Sequence, residues 1–176
     1  MRSIVLKFGL LSGALLSAMM AVTIPFQDAI GFDYGMIVGY TTMVLAFLLI
    51  YFGVRSYRDT EGGGSVTFGR AVKVGALIAL ISSCCYVATW QVMYFNFMPD
   101  FSAKISAHTL AKARAAGESE AAISKTRKEM EEFAVMYQNP AINAAITFLE
   151  PLPVALIMTL VSAVLLSRRT IPPRAT

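Results

Sequence analysis

Residues 51–75 read YFGVRSYRDTEGGGSVTFGRAVKVG, and within this stretch one hydrophobic run ends and a second begins. The first run ends at Val54, and the second opens beyond Arg70 and Lys73. Basic residues and a glycine triplet at 62–64 lie between them. We call residues 55–73 the basic hinge. A basic segment between two long apolar runs is typical of a cytoplasmic loop in a multi-pass membrane protein.

The composition also indicates a membrane protein. Of the 176 residues, 56% are hydrophobic and only 15% are charged, whereas a soluble domain carries about 25% charged residues. The length allows one domain, residues 1–176. The two cysteines, Cys84 and Cys85, are adjacent inside an apolar run, so they predict neither a disulfide framework nor a zinc site.

Four apolar runs are each long enough to cross a bilayer, because about 20 apolar residues span the hydrocarbon core as a helix. Aromatic residues flank several of them, as expected at membrane interfaces. We therefore predict an all-α, four-helix transmembrane bundle with spans at about residues 4–24, 36–54, 71–95 and 141–166. The segment from Pro25 to Gly35 is predicted to be a short loop.

The first run has an alternative interpretation as a secretory signal peptide, since a basic residue precedes it and small residues lie around Ala18 and Ala21. Its length and the lack of a clear A-x-A site favour a retained helix. Gly9, Gly13 and Ser17 recur every four residues in this run. This spacing is either a small-residue stripe for close helix packing or a chance effect of the glycine content of membrane helices.

Residues 99–139 differ from the rest of the chain, since they contain six Lys/Arg and six Asp/Glu. Gly117 separates two helical patterns, so we predict an extracytoplasmic helical hairpin between the third and fourth spans. The chain's single histidine, His108, lies here. No second His or Cys stands at ligand spacing, so we interpret it as a solvated surface residue rather than a metal ligand.

The distribution of Lys and Arg predicts the orientation. The short segment after the first run has none, and cytoplasmic loops carry an excess of these residues. We therefore expect both termini and the basic hinge to be cytoplasmic. Nine Lys/Arg residues fall on that side: Arg2, Lys7, Arg55, Arg58, Arg70, Lys73, Arg168, Arg169 and Arg174.

The chain resembles the bacterial domain-of-unknown-function 4199 family, whose members are small four-helix membrane proteins. The matching pieces occur in the expected order over nearly the whole chain, and the hinge piece is the most specific. The resemblance implies an integral protein of a bacterial inner membrane, and it supplies no activity, substrate or catalytic residue. The pieces are KFGLLSG, GYTTMVLAF, YFGVRSYRD-x(2)-GGGSVTFGRAVKVG, NFMPDF and FLEPLPVALIMTLVSA.

Glu150 is the most unusual residue, because it lies about nine residues, or about 14 Å of helix, into the fourth run. A charge near the bilayer centre costs about 2.5–3.5 kcal/mol or more, so we expect Glu150 to face the bundle in its protonated form. Asn139, Asn143 and Thr147 precede it at helical spacing and form a polar stripe with it. The residues at matching depth are Ser12, Ser82, Ser83, Cys84 and Tyr86.

Pro151 and Pro153 follow Glu150 directly, and each removes an intrahelical hydrogen bond. A broken helix beside an acidic residue at the midplane is typical of ion and substrate sites in transporters. The structural alternative is a protonated glutamic acid that bonds a neighbouring helix and fixes the packing. The sequence alone favours the structural alternative, because four helices enclose only a small path.

The basic hinge is glycine-rich but lacks the Gly-Lys-Ser/Thr end of a P-loop. Arg55, Arg58, Arg70 and Lys73 lie near a helix N-terminus, where they are candidate contacts for the phosphates of anionic lipids. The alternative is a plain positive-inside loop.

The sequence carries no H-E-x-x-H, no G-x-S-x-G and no paired carboxylates with a nearby histidine, so no enzyme is predicted. We expect a non-enzymatic membrane protein that engages a lipid, a protein partner or a second copy of itself, without cofactor, metal ion or nucleic acid. The alternative is a small-solute or proton-coupled transport component that uses Glu150. A deep polar cavity reaching Glu150 would favour transport, and a packed, dry bundle would favour the partner role.

Overall fold

A computed structural model describes residues 1–167, which form helices joined by short turns, with no strand in that range. Four segments are long and apolar enough to cross a membrane: α1, α3, α4, and α7 together with α8. The prediction of an all-α chain with four such segments is therefore confirmed. The helices are α1 (Arg2–Thr23), α2 (Gln27–Ile30), α3 (Phe32–Thr60), α4 (Phe68–Phe97), α5 (Phe101–Ala115), α6 (Glu120–Tyr137), α7 (Pro140–Leu149) and α8 (Leu152–Leu166).

The small-residue stripe of α1 packs against α4. A Cβ at Gly9 would lie 2.8 Å from the Cβ of Ile81, and one at Gly13 would lie 2.6 Å from the Cβ of Cys85. At the third position, Ser17 Oγ accepts a 2.7 Å hydrogen bond from Thr89. The stripe thus lets the two backbones approach closely, which supports the packing interpretation over chance.

Polar groups inside the bundle bond across helices. Ser12 of α1 donates to the carbonyl of Ala46 at 2.9 Å, and Ser82 of α4 donates to the carbonyl of Gly9 at 3.1 Å. Both serines are fully buried. Since a buried hydroxyl without a partner is costly in an apolar surrounding, these bonds help to fix α1 between α3 and α4.

The basic hinge turns the chain from α3 into α4. Gly63 and Gly64 have φ angles of 59° and 85°, which L-residues rarely adopt. A Cβ at Gly62 would lie 2.3 Å from the carbonyl oxygen of Ser65. The amino group of Met1 forms an ion pair with Glu61, so the start of α1 lies at the same end of the bundle as the hinge.

The prediction of a loop from Pro25 to Gly35 is wrong. Residues Ile24–Phe26 form a 3-10 turn, α2 follows, and α3 begins at Phe32. Proline is tolerated in the first turn of a helix, because its missing N–H has no partner there in any case. Gly31, at φ 78° and ψ 155°, separates α2 from α3.

The segment between α4 and α7 contains two helices that contact each other, α5 and α6. Gly117, at φ 74°, lies between them. Ser119 then caps α6, since its hydroxyl accepts a 3.3 Å hydrogen bond from the N–H of Ala122. Arg168, Arg169 and Arg174, which contribute to the predicted orientation, lie outside the described residues.

Candidate functional site

The fourth membrane-length segment is broken at Glu150. Helix α7 ends at Leu149 and α8 begins at Leu152, and the N–H of Glu150 makes only a long 3.4 Å bond to Thr147. Pro151 has no N–H and is buried at the break. Glu150 lies ten residues after Pro140, which is about 15 Å along the helix, and hence near the middle of the segment.

Tyr86 of α4 is the hydrogen-bond partner of Glu150. Its hydroxyl donates to Oε2 at 2.8 Å, and the tyrosine is almost fully buried. Tyr86 is one of the five residues that the sequence placed at matching depth. Ser12 and Ser82 bond backbone carbonyls instead.

Three of the four positions of the polar stripe bond neighbouring helices, Asn143 and Glu150 with α4 and Thr147 with α6. Asn143 accepts a 2.7 Å bond from Gln91 and donates to the carbonyl of Tyr137 at 3.3 Å. One turn further, Thr147 shares a 3.1 Å bond with the Tyr137 hydroxyl. Glu150 completes the series. The fourth member, Asn139, instead caps α7, because its side chain accepts from the N–H of Ala141 at 3.0 Å.

Tyr137 is held from both sides. Trp90 of α4 donates its indole N–H to the Tyr137 hydroxyl at 3.0 Å, and Thr147 lies on the other side. Burial raises the pKa of Tyr137 above its ordinary value, so the phenol keeps its proton at neutral pH. The α4 face therefore presents a fixed row of polar partners to α6 and α7.

A cavity of about 560 Å³ extends to Glu150. It lies in the half of the bundle away from the basic hinge, between the end of α1, the first half of α3, α4 and the α5–α6 segment. Glu150 is exposed, and it is one of the residues that line this cavity. The lining is mostly apolar, and its aromatic members are Phe32, Tyr40, Tyr86, Trp90, Phe101, Phe133 and Tyr137.

The helix break helps to explain the cavity. Helix α8 packs against both α3 and α4, whereas α7 packs mainly against α4. The first half of α3 therefore lacks the packing that α8 gives to its second half. Tyr34, Met36, Ile37 and Tyr40 of that first half are exposed, and the space between α3 and α7 belongs to the cavity.

An ion pair joins α3 to α5 at the rim of the cavity. Lys112 Nζ lies 2.7 Å from a carboxylate oxygen of Asp33, and His108 Nε2 lies 3.5 Å from the same oxygen. The ring of His108 also packs on Phe32, with 5.2 Å between centroids. The prediction of a solvated surface histidine is therefore wrong, because His108 is partly buried in this cluster.

Sequence reasoning missed Asp33 and Lys112, which are 79 positions apart. No local pattern links them. The only signal in the sequence was that residues 25–35 contain two acids, Asp28 and Asp33, and no Lys or Arg. The structure thus adds a rim contact and a cavity to the Glu150 site that the sequence identified.

The four basic hinge residues lie at the opposite end of the bundle from the cavity. Arg58 and Arg55 both approach Asp59, with Nε to carboxylate distances of 2.7 and 3.7 Å. Arg70 and Lys73 are exposed on the first turns of α4. Because Asp59 offsets part of the charge of the two arginines, the prediction of lipid phosphate contacts depends mainly on Arg70 and Lys73, and it stays a prediction.

A family model described as "Protein of unknown function (DUF4199)" matches residues 7–168. The match includes the basic hinge and all the residues that line the cavity. It also includes the four membrane-length segments, apart from residues 2–6 of α1. It confirms the resemblance identified from the sequence pieces. No curated protein and no solved structure matches the chain.

Proposed function

The chain belongs to the DUF4199 family of proteins of unknown function, and we propose that it is a non-enzymatic, multi-pass membrane protein that binds a lipid-like amphipathic molecule in the cavity beside Glu150. The cavity carries this proposal. The cavity is a partly open cleft, and its volume of about 560 Å³ is of the size that holds a small-molecule ligand.

The chemistry of the lining supports an amphipathic ligand. Most lining side chains are apolar or aromatic, and the polar groups at the deep end are the Glu150 carboxyl and the Tyr86 hydroxyl. Apolar walls with a few convergent polar groups are typical of binding pockets. This combination differs from both arrangements considered from the sequence, a polar cavity and a packed, dry bundle.

Access from the lipid phase fits the exposed surface. Met36, Ile37 and Tyr40 lie on the part of α3 that borders the cavity, and each is at least 44% exposed. In a membrane such apolar surface contacts acyl chains. An amphipathic molecule would therefore reach Glu150 without first crossing water.

We place the protein in a bacterial inner membrane, with both termini and the basic hinge in the cytoplasm and the α5–α6 segment on the other side. The Lys/Arg asymmetry supports this orientation. The ion pair between Met1 and Glu61 adds to it, since it brings the N-terminus and the hinge to one end of the bundle. The cavity then opens in the extracytoplasmic half.

Transport of the bound molecule is a second candidate function. The observation that favours it is the break between α7 and α8 beside Glu150, because interrupted helices at the midplane are a recurring feature of transporter sites. Binding alone requires only the cavity. The two functions differ in whether Glu150 carries a proton or solute across the membrane.

Gly39 provides a test of the binding proposal. It lines the cavity, and a Cβ added there meets no atom within 4 Å. Gly39→Leu should therefore narrow the cavity without a clash. Gly69→Leu is the matched control, because Gly69 has the same open surroundings but does not line the cavity.

The measurement is mass spectrometry of organic extracts from protein purified in mild detergent. We expect an amphipathic compound in near-stoichiometric amount with wild type and with Gly69→Leu, and its loss with Gly39→Leu. Equal recovery from all three proteins would mean that the compound is bound outside the cavity, and the proposal would then be wrong.

A further inference from the structure

We propose that the molecule bound beside Glu150 is a lipophilic cation, with an apolar or aromatic body that carries an ammonium or similar group. This inference rests on the proposed function, because it names the class of ligand for the same cavity. It is carried by the charges, the aromatic side chains and the hydrogen bonds around Glu150.

The charged groups of the lining leave Glu150 without an opposite charge. Asp33 and Lys112 form an ion pair with each other at the rim. Glu150 has the neutral hydroxyl of Tyr86 as its partner. Without an opposite charge nearby, Glu150 is expected to keep its proton in the free protein. A cationic ligand can replace that proton by pairing with the ionised carboxylate.

The aromatic side chains beside Glu150 suit a cation. Tyr86, Trp90 and Tyr137 all line the same cavity, and Trp90 is the least buried of the three. Cations bind favourably over the faces of such rings. Hydrogen bonds hold these rings in place, from Trp90 to Tyr137 at 3.0 Å and from Tyr86 to Glu150 at 2.8 Å. Fixed rings lower the cost of ordering the site on binding.

One carboxylate oxygen remains available for the ligand. Tyr86 bonds Oε2, and within residues 1–167 no hydrogen bond or ion pair to Oε1 is found. Glu150 also has surface accessible from the cavity. A cationic group can therefore contact Oε1 while the Tyr86 bond is kept.

The alternative ligands fit less well. An anionic amphiphile would meet the carboxyl group of Glu150, and like charges brought together at a binding site weaken binding. A neutral amphiphile would leave the carboxyl without a charged partner. The cavity volume of about 560 Å³ falls in the range of sites that hold one small molecule, so we assign the site to a small cation rather than to a two-chain phospholipid headgroup.

The test uses two probes with the same three phenyl rings, the cation methyltriphenylphosphonium and the neutral triphenylphosphine oxide. Equilibrium dialysis against the full chain in mild detergent gives a dissociation constant for each. For wild type we expect the cation to bind about tenfold more tightly, since desolvated cation–π and ion-pair contacts are worth at least that factor. This comparison requires no variant and so does not depend on how any substitution folds.

Two variants locate the effect. Glu150→Gln keeps the shape of the side chain and removes its charge, so the ratio of the two dissociation constants should fall to about one. Glu118→Gln is the control, because Glu118 is an exposed acid outside the cavity, and its ratio should match wild type. A preference that survives Glu150→Gln would overturn the assignment to Glu150.

The outcomes separate this inference from the proposed function. If both probes bind wild type equally and neither binds Gly39→Leu, the preference for a cation is refuted. The cavity would then remain a binding site for neutral amphiphiles. Failure of both probes to bind wild type more tightly than Gly39→Leu would refute the inference and count against the proposed function as well. Recovery of phosphatidylethanolamine from wild type but not from Glu150→Gln would contradict the small cation and favour a lipid ammonium headgroup.

Discussion

The hydroxyl of Tyr86 donates a 2.8 Å hydrogen bond to Oε2 of Glu150 and thereby joins α4 to the break between α7 and α8. The two residues are 64 positions apart in the chain. Both line the cavity. This bond therefore links the stability of the bundle to the group that would contact a ligand.

Two substitutions at Glu150 separate the contribution of its hydrogen bond to stability from the contribution of its charge. Glu150→Gln keeps an oxygen that can accept from Tyr86, so we predict a melting temperature close to that of wild type. Glu150→Ala removes the acceptor and leaves space, and it should cost about 1–3 kcal/mol. Circular dichroism melts in detergent measure both. If Gln destabilises the protein as strongly as Ala, the charge itself, rather than the bond, would be required for folding.

Asn143 is predicted to be a structural residue of the polar stripe. It is fully buried and bonds both Gln91 and Tyr137, so Asn143→Ala leaves these groups unsatisfied and should cost about 1–3 kcal/mol. Asn96→Ala is the control, because Asn96 is exposed, and its effect should stay within about 0.5 kcal/mol. Equal melting temperatures for the two variants would show that the stripe contributes little to stability.

The orientation can be tested with one engineered cysteine. Ser124 is exposed on α6, whereas Ser119 serves as the cap of that helix, so Ser124 is the better site. In a chain with Cys84 and Cys85 replaced by Ala, Ser124→Cys should react with a membrane-impermeant maleimide in intact cells. A cysteine that reacts only after the membrane is opened would contradict the proposed orientation.

The transport alternative requires that Glu150 binds and releases a proton. If the protein moves protons or a proton-coupled solute, reconstituted wild type should show flux and the folded Glu150→Gln variant should not, because an amide cannot release a proton. Vesicles with a pH-sensitive dye report this directly. Equal flux from wild type and Glu150→Gln would exclude Glu150 as the carrier, and no flux from wild type would leave binding as the function.

Local patterns were sufficient to predict much of the bundle. Hydropathy identified four membrane-length segments because each run is continuous in the sequence. The basic hinge predicted a loop between two spans, and Pro151 and Pro153 predicted the break beside Glu150, since both signals act within a few residues.

The cavity could not be predicted from local sequence patterns, because it depends on how segments distant in the sequence pack. From depth along the helices, the sequence offered five possible partners for Glu150. The rotation of α4 about its axis decides among them, and it places the Tyr86 hydroxyl against Glu150. The rim pair of Asp33 and Lys112 joins helices that are far apart in the chain. Hydropathy also gave no sign that α8, but not α7, packs firmly on α3.

Trp90 offers the most direct test of a ligand in the cavity. It is the single tryptophan of the chain and lines the cavity, so no second tryptophan contributes to the fluorescence signal. The measurement is quenching of Trp90 in lipid nanodiscs during titration with a single-chain cationic amphiphile that carries bromine on its acyl chain.

We predict quenching that saturates at one amphiphile per chain in wild type and in Gly69→Leu, and that requires a much higher concentration in Gly39→Leu. Saturation is expected because a bound quencher occupies one site, whereas amphiphile dissolved in the bilayer quenches in proportion to its concentration. Quenching that rises without saturation, equally in all three proteins, would contradict the claim that the cavity beside Glu150 is a binding site.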